Sequence, residues 1–334
     1  MSNVKDLMKI FLIKTNAYHI YESYRFKKHF SRAESIAQKE FEFSFNAVPN
    51  SKDSAYAKIR LRIHGIEKQL VKGDSPKIET VLMLLEQTER LLKKYPEYSR
   101  SGDAVKETIG IALSVIEEKK AKGVECSKLE NMLKGYINRN NLQNTAPRKI
   151  KIQTIKSDNR PKDYSVKYDS FVRERHSVRE LSPQKIDLKL LKEIIETALI
   201  CPSAANRQPC KVYYPKEPEK IREFLPDKYV SKDVYNFLII TINKSFYSSA
   251  ELFSPWIDGG IFINSIVMAI HSRGLGSCLF QYLKTNPNYQ SFKESVGIPE
   301  NEDIVCCIGF GYLKNEYSII ESHRKDIDET LIEF

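Results

Sequence analysis

Two uninterrupted apolar runs constrain the fold more than any other feature of this sequence. They are NFLIITIN at residues 236–243 and EDIVCCIGFGY at residues 302–312. Their content of β-branched and aromatic residues predicts strands, and their apolar character on both faces predicts burial. The first run is apolar enough for the centre of a sheet. A third run, CKVYYP at residues 210–215, predicts another strand.

Helices are predicted between these strands. An amphipathic helix is predicted over residues 186–200, with a buried face made of Leu188, Leu191, Ile194, Ile195, Ala198 and Leu199. Residues 258–277 are apolar on most sides, which predicts a buried helix that ends at Gly274. The order helix, strand, strand, helix, strand indicates an α+β fold rather than a regular βαβ alternation. The sequence has neither Gly-x-Gly-x-x-Gly nor a P-loop.

The first part of the chain is predicted to be mainly helical, because apolar residues recur there at helical spacing. The predicted helices are residues 4–14, 77–95, 103–123 and 127–139. A polar, basic stretch with two prolines follows. We therefore predict a helical module at residues 1–145, a linker at 146–165 and a second domain at 166–334.

All of the net positive charge lies in the first part of the chain. Residues 1–150 hold 28 Lys and Arg against 18 Asp and Glu, and the whole chain has a net charge of +10. This basic module is either a solvated helical face or a surface for an anionic or protein partner. A specific nucleic-acid site and a membrane span are not expected. Six cysteines without Cys-x-x-Cys spacing predict buried thiols, no metal site and a cytoplasmic location.

Four short stretches of the second domain carry the candidate chemistry. RERHSVR at residues 173–179 suits a phosphate, although a solvated basic turn is the alternative. CPSAANRQP at 201–209 offers amide groups suited to the edge of a heterocycle. RGLGSCLFQ at 273–281 has two glycines that let the backbone approach a flat ligand. ESHRKD at 321–326 forms a second phosphate-sized cluster.

Together, and in this order, the four stretches resemble the nitroreductase family of FMN-dependent oxidoreductases, over about residues 168–330. The resemblance implies an α+β sandwich with a mixed central sheet flanked by helices. It also implies a homodimer with FMN at the dimer interface. Cys210 departs from the family pattern, in which an aromatic residue commonly follows Gln-Pro.

The resemblance also implies a role for individual residues. Arg175, Ser177 and Arg324 would bind the FMN phosphate, with His176 beside them and Lys325 as a further candidate. Arg179 would reach the pyrimidine edge of the flavin. The residues that would line the ring from the partner subunit are Pro202, Ser203, Asn206 and Gln208. Gly276 would admit the ring, and backbone groups of Leu279, Phe280 and Gln281 would face flavin N5.

The implied activity is hydride transfer from NAD(P)H through flavin N5 to an electron-poor acceptor, such as a nitro compound or a quinone, in a ping-pong sequence. Arg179 and Gln281 are the candidate catalytic residues. Two alternatives stay open. One is a different flavin chemistry, either dehydrogenation or dehalogenation of a specific substrate. The other is a flavin-binding adaptor without enzymatic activity.

Overall fold

The computed structural model of this chain describes residues 51–96, 103–150, 164–224, 234–282, 284, 286–320, 322 and 324–333. The helix predicted at residues 4–14 lies outside these ranges. Among the described helices, none combines the length and the apolar character that crossing a membrane requires.

In the described part of the chain before residue 150, four helices form the first unit of the structure. They are α1 (Lys52–Val71), α2 (Ile78–Lys94), α3 (Asp103–Ala121) and α4 (Ser127–Arg139). The helices predicted at 77–95, 103–123 and 127–139 are confirmed as α2, α3 and α4. All four helices contribute apolar side chains to one buried cluster, as Ile63, Leu84, Ala112 and Leu133 illustrate.

The described part of the predicted linker, residues 146–150, lies against α3. The Arg148 N–H donates to the Lys106 carbonyl oxygen at 2.9 Å. A Cβ atom at Gly110 would lie 1.9 Å from the Arg148 carbonyl oxygen, so the missing side chain of Gly110 makes this contact possible. The chain therefore stays packed on the helical unit up to residue 150.

The second unit alternates helices and strands. Its elements are α5 (Ser165–Glu174), α6 (Leu188–Ala198), β1 (Cys210–Tyr213), α7 (Glu219–Arg222), β2 (Asn236–Asn243), α8 (Ser254–His271), β3 (Leu275–Phe280), α9 (Tyr289–Val296) and β4 (Glu302–Tyr312). Single 3-10 turns occupy Ala204–Asn206, Lys244–Phe246 and Ile327–Glu329.

The four strands form one sheet in the order β1-β2-β4-β3, and neighbouring strands are antiparallel. Cys210 pairs with Ile242 across β1 and β2, and Leu275 pairs with Tyr312 across β3 and β4. The two apolar runs are confirmed as the central strands. The parallel contact is an isolated bridge between residues 177 and 277, outside the four strands of this antiparallel sheet.

Helices cover both faces of the sheet, as alternate residues of β2 show. Leu238 and Ile240 pack with α6 and α8 on one face. Phe237 and Ile239 pack with α7 and α9 on the other. The predicted α+β fold with helices flanking a central sheet is confirmed.

Two details of the sequence prediction were wrong. Helix α8 ends at His271 rather than at Gly274, and residues 275–280, where no strand was predicted, form the edge strand β3. Pairing with β4 explains the difference, because β3 completes its backbone hydrogen bonds there. Leu188 and Leu199 are exposed rather than buried. Both lie at an end of α6, outside the contact that buries the middle of the helix.

Helix α1 packs directly on the second unit. Ala57 is fully buried in a cluster with Ile242 and Phe246. The Asn243 and Asn301 side-chain amides each donate to Asp53 Oδ2 at 2.8 Å. The helical unit therefore covers the region where β2 ends and β4 begins.

Candidate functional site

Residues 173–179, predicted to hold a phosphate and called the basic turn from here on, lie beside the edge strand β3. Helix α5 ends at Glu174, and Arg175 continues with an extended backbone. The Val178 N–H donates to the Ser277 carbonyl oxygen at 2.9 Å, next to the parallel bridge between Ser177 and Ser277. These contacts fix the turn against the sheet.

A cleft of about 540 Å³ opens beside this turn. Arg175, His176 and Gly276, three of the predicted site residues, line it. The Arg175 side chain is half-buried, and among the described residues it makes no hydrogen bond or ion pair. A half-buried cation favours an anionic partner. The volume lies within the usual range for small-molecule sites.

Gly276 serves packing within the chain. A Cβ atom there would lie 2.8 Å from the side chains of both Leu181 and Leu313. The missing side chain therefore lets these two leucines close over β3, where an antiparallel bridge joins them. The sequence pattern related this glycine to a ligand and gave no sign of this packing.

His271, the last residue of α8, makes a specific contact with α5. Its Nε2 lies 2.9 Å from the Phe171 carbonyl oxygen, so Nε2 is the donor. The two rings also stack at an angle, with centroids 4.6 Å apart. His271 thereby fixes the end of α8 to α5, the helix that leads into the basic turn.

The remaining candidates on β3 alternate between the two faces of the sheet. Leu279 and Gln281 are exposed, whereas the Phe280 ring is buried in the core. Only the backbone of Phe280 is therefore able to meet a ligand. Arg179 is exposed, and its charge affects the Cys278 thiol. Burial raises the pKa of this thiol, and the positive charge of Arg179 offsets part of that rise.

The 201–209 loop lies at the other edge of the sheet, directly before β1. Ala205, Asn206 and Gln208 have positive φ angles of 50°, 50° and 52°. This left-handed backbone is costly for residues other than glycine and persists only where the surroundings enforce it. The Ala204 N–H donates to both oxygens of the buried Asp258 carboxylate, at 3.0 and 3.1 Å.

Arg207 holds the loop from inside. It is 1% exposed, and its Nε donates to the Ala204 carbonyl oxygen at 3.0 Å. Its Nη1 donates to the Phe246 carbonyl oxygen at 2.8 Å, and both Nη atoms bind the Glu251 carboxylate, at 3.0 and 2.5 Å. The guanidinium also lies 4.6 Å from the centre of the Tyr247 ring.

Arg207 and Asp258 were not predicted from the sequence. Arg207 is the single charged residue in CPSAANRQP, which was the available signal. Burial raises the pKa of Glu251, but the hydrogen bonds from Arg207 and Ser248 outweigh it, so that pKa is lowered overall. The Tyr247 hydroxyl donates to Asp258 at 2.6 Å, and burial raises the tyrosine pKa.

Within one chain, the structure does not bring all predicted site residues together. The basic turn lies beside β3, and the 201–209 loop precedes β1, so they occupy opposite edges of a four-stranded sheet. At about 4.8 Å between strands, the edges are roughly 14 Å apart. Pro202, Ser203 and Gln208 line a small separate pocket. Arg324 and Lys325 are exposed and do not line the cleft, whereas Tyr317 and Ile319 do.

The geometry defines an α+β domain with a basic turn over a cleft at one sheet edge and a strained polar loop at the other. A sequence model of the nitroreductase family matches this region, at residues 172–247 and 234–312. The match spans residues 172–312 of this chain.

Individual proteins are similar to this chain over part of its length. The chain is 24% identical to a 4-nitrobenzoate reductase of Pseudomonas putida, covering 47% of this chain and 89% of that protein. It is 23% identical to a protein of Archaeoglobus fulgidus named as a putative NADH dehydrogenase/NAD(P)H nitroreductase, covering 44% and 86%. A solved nitroreductase with bound FMN from Desulfitobacterium hafniense is 20% identical with a TM-score of 0.40, covering 49% and 97%.

Proposed function

We propose that this protein is an FMN-dependent oxidoreductase, which takes hydride from NAD(P)H and reduces an electron-poor small molecule. The observation that carries the proposal is the half-buried Arg175, which faces a cleft inside the family-matched domain without a partner among the described residues. The names of the two relatives supply the nitroaromatic substrate class and the NAD(P)H donor.

The residues of the cleft suit the phosphate of FMN. The Arg175 guanidinium is able to bind two phosphate oxygens at once, and His176 adds a donor within the cleft. Ser177 follows in the same turn but does not line the cleft. Glu174 also lines the cleft, but it accepts a hydrogen bond from Ser170 on its own helix at 2.8 Å. Arg324 and Lys325 would reach this phosphate only if the C-terminal segment lay over the cleft, or over the cleft of a second chain.

When bound, the flavin supplies the redox chemistry by accepting a hydride and passing electrons to the acceptor. The chain contributes charge and orientation. Arg179 places a permanent positive charge beside β3, where it would favour the negative charge that reduction adds to the ring. The backbone of residues 279–281 would lie along the ring edge, and no protein nucleophile is needed.

We further propose a homodimer in which the 201–209 loop of one chain lines the flavin of the other. The opposite positions of loop and cleft within one chain support this arrangement. So do exposed apolar side chains on α5 and near the C-terminus, including Val166 at 82% and Ile332 at 80% exposure. Such surfaces usually mark interfaces. We propose that this dimer is cytoplasmic. An anionic or protein partner that binds the basic helical unit stays a prediction.

One experiment tests the proposed activity. The purified protein is denatured to identify released flavin, and the native protein is mixed anaerobically with NADH or NADPH in a stopped-flow instrument. We expect FMN, rapid bleaching of the flavin, and reoxidation by 4-nitrobenzoate. FAD, or no flavin after reconstitution with FMN, contradicts the proposal. Bound FMN that neither nucleotide reduces favours the adaptor alternative or another electron donor.

A further inference from the structure

We infer that the helical unit sets the geometry of the 201–209 loop, and that Arg60 on α1 is the positioning residue that does so. The inference rests on the proposed function, because the loop affects catalysis only if its side chains face a flavin. It gives the helical unit a definite part in the site, although that unit lies outside the family-matched residues.

Arg60 joins the two units with a single guanidinium. The residue is 4% exposed. Its Nη1 forms an ion pair with Glu107 on α3, and its Nη2 donates to the Asn206 carbonyl oxygen at 2.9 Å. Glu107 is also paired with Arg148 at 3.4 Å, so it belongs to a network within the helical unit. The donor to Asn206 is therefore held by the core of the helical unit.

The accepting carbonyl belongs to the most strained part of the loop. Asn206 has a φ of 50°, and its neighbours Ala205 and Gln208 have φ angles of 50° and 52°. Rotation of the backbone to negative φ at these residues would relieve the strain, would move the Asn206 carbonyl oxygen, and would redirect the exposed Asn206 and Gln208 side chains. Because the hydrogen bond from Arg60 fixes that carbonyl oxygen, it opposes the rotation.

The loop is thus held from two sides by different parts of the chain. Arg207 and Asp258 belong to the second unit and bind the Ala204 end of the loop. Arg60 approaches from α1 and binds the Asn206 end. Helix α1 also contacts the second unit close to the loop, because the Tyr56 ring packs edge-on against the Phe246 ring, with the centroids 5.7 Å apart.

The substitution Arg60→Lys separates positioning from stability. An ammonium group retains the charge that faces Glu107, but it lacks the planar fork that reaches Glu107 and Asn206 together. Arg62→Lys is the matched control: Arg62 lies on the same helix and donates to Gln87 at 2.9 Å, within the helical unit. Both variants are prepared as full-length protein reconstituted with FMN.

Four quantities are compared: the melting temperature, the FMN dissociation constant, kcat and KM for 4-nitrobenzoate, and the visible circular dichroism of the bound flavin. For Arg60→Lys we expect FMN affinity and melting temperature near those of the wild type. We expect KM to rise about tenfold, the scale of one lost hydrogen bond to a charged group, and the flavin dichroism to change. Amides of residues 203–209 should also exchange hydrogen faster. Arg62→Lys should leave all of these unchanged.

Equal KM, dichroism and exchange for Arg60→Lys and Arg62→Lys would overturn the inference while leaving the proposed function intact. If the wild-type protein binds no FMN, the proposed function fails instead, and hydrogen exchange alone still decides whether Arg60 positions the loop. Should Arg60→Lys lower the melting temperature strongly, the double variant Arg60→Gln/Glu107→Gln replaces it. That variant leaves neither partner with an unpaired charge, and the same results are expected.

Discussion

Replacing Arg207 by methionine should destabilise the protein far more than the same change at an exposed arginine. Methionine retains the apolar stem of the side chain and removes all of its hydrogen-bond donors. The Ala204 and Phe246 carbonyl oxygens then lose their bonds of 3.0 and 2.8 Å, and the Glu251 carboxylate loses both bonds to the guanidinium. Among the described residues, the donors that this carboxylate keeps belong to Ser248.

The magnitude follows from the burial of the two charges. Breaking a fully buried ion pair costs about 3–5 kcal/mol, because the remaining charge is left without a partner. Arg207 is buried, but the Glu251 side chain is 30% exposed, so water replaces part of what that carboxylate loses. We therefore expect the free energy of unfolding to fall by about 3 kcal/mol, the lower end of that range.

Urea unfolding measures this loss. It should be followed with and without FMN, since a ligand that binds the native state adds its own stabilisation. Arg139→Met is the control, because Arg139 also binds a carboxylate in two places, Glu89 at 2.8 and 3.0 Å, but on the surface. Exposed pairs contribute little. A loss for Arg207→Met no larger than that for Arg139→Met would refute the reasoning.

The pH dependence of this loss provides a second check. The folded state lowers the pKa of Glu251 below its ordinary value near 4.5. A lowered carboxylate pKa stabilises the fold above the ordinary value, and that contribution disappears as the pH falls through the folded pKa. The difference between wild type and Arg207→Met should thus be complete at pH 7 and should shrink below about pH 4.5.

Three further predictions concern the site and the units. Arg175→Ala should weaken FMN binding by about 2–3 kcal/mol, measured by fluorescence titration, because a charge-assisted bond to phosphate is lost; unchanged affinity removes Arg175 from the site. Arg179→Gln should lower the flavin midpoint potential by roughly 20–45 mV, the equivalent of about 1–2 kcal/mol for two electrons; a potential within a few millivolts of wild type contradicts this. A chain that starts near Lys162 should still dimerise and bind FMN if the second domain folds alone, but it uncovers Ile242 and Phe246; an insoluble product rules out independent folding.

Local patterns predicted the central strands because these are buried and their apolar composition shows it, and they predicted most helices because apolar residues recur there at helical spacing. Strand β2 is buried at every residue. Strand β3 escaped prediction because its sequence, LGSCLF, is short and begins beside two glycines. Its conformation comes from pairing with β4, which is distant in sequence.

The same distinction applies to the candidate site. The basic turn could be predicted because its three kinds of donor are consecutive in the sequence. The contacts that shape the 201–209 loop could not, because the partners of Arg207 and Asn206 lie 44 and 146 residues away. The composition of the loop drew attention to it, but the residues that give it its conformation could not be identified from that composition.

The sequence separation between the 201–209 loop and the residues that bind it also affects when the loop can fold during synthesis. Its left-handed residues need Arg60, which is synthesised well before them, and Asp258, which lies 54 residues after Ala204. A growing chain that has just exposed the loop thus lacks one of its supports. Domains tend to fold as units once their sequence is complete. The loop should therefore be among the last parts of the domain to reach its final conformation.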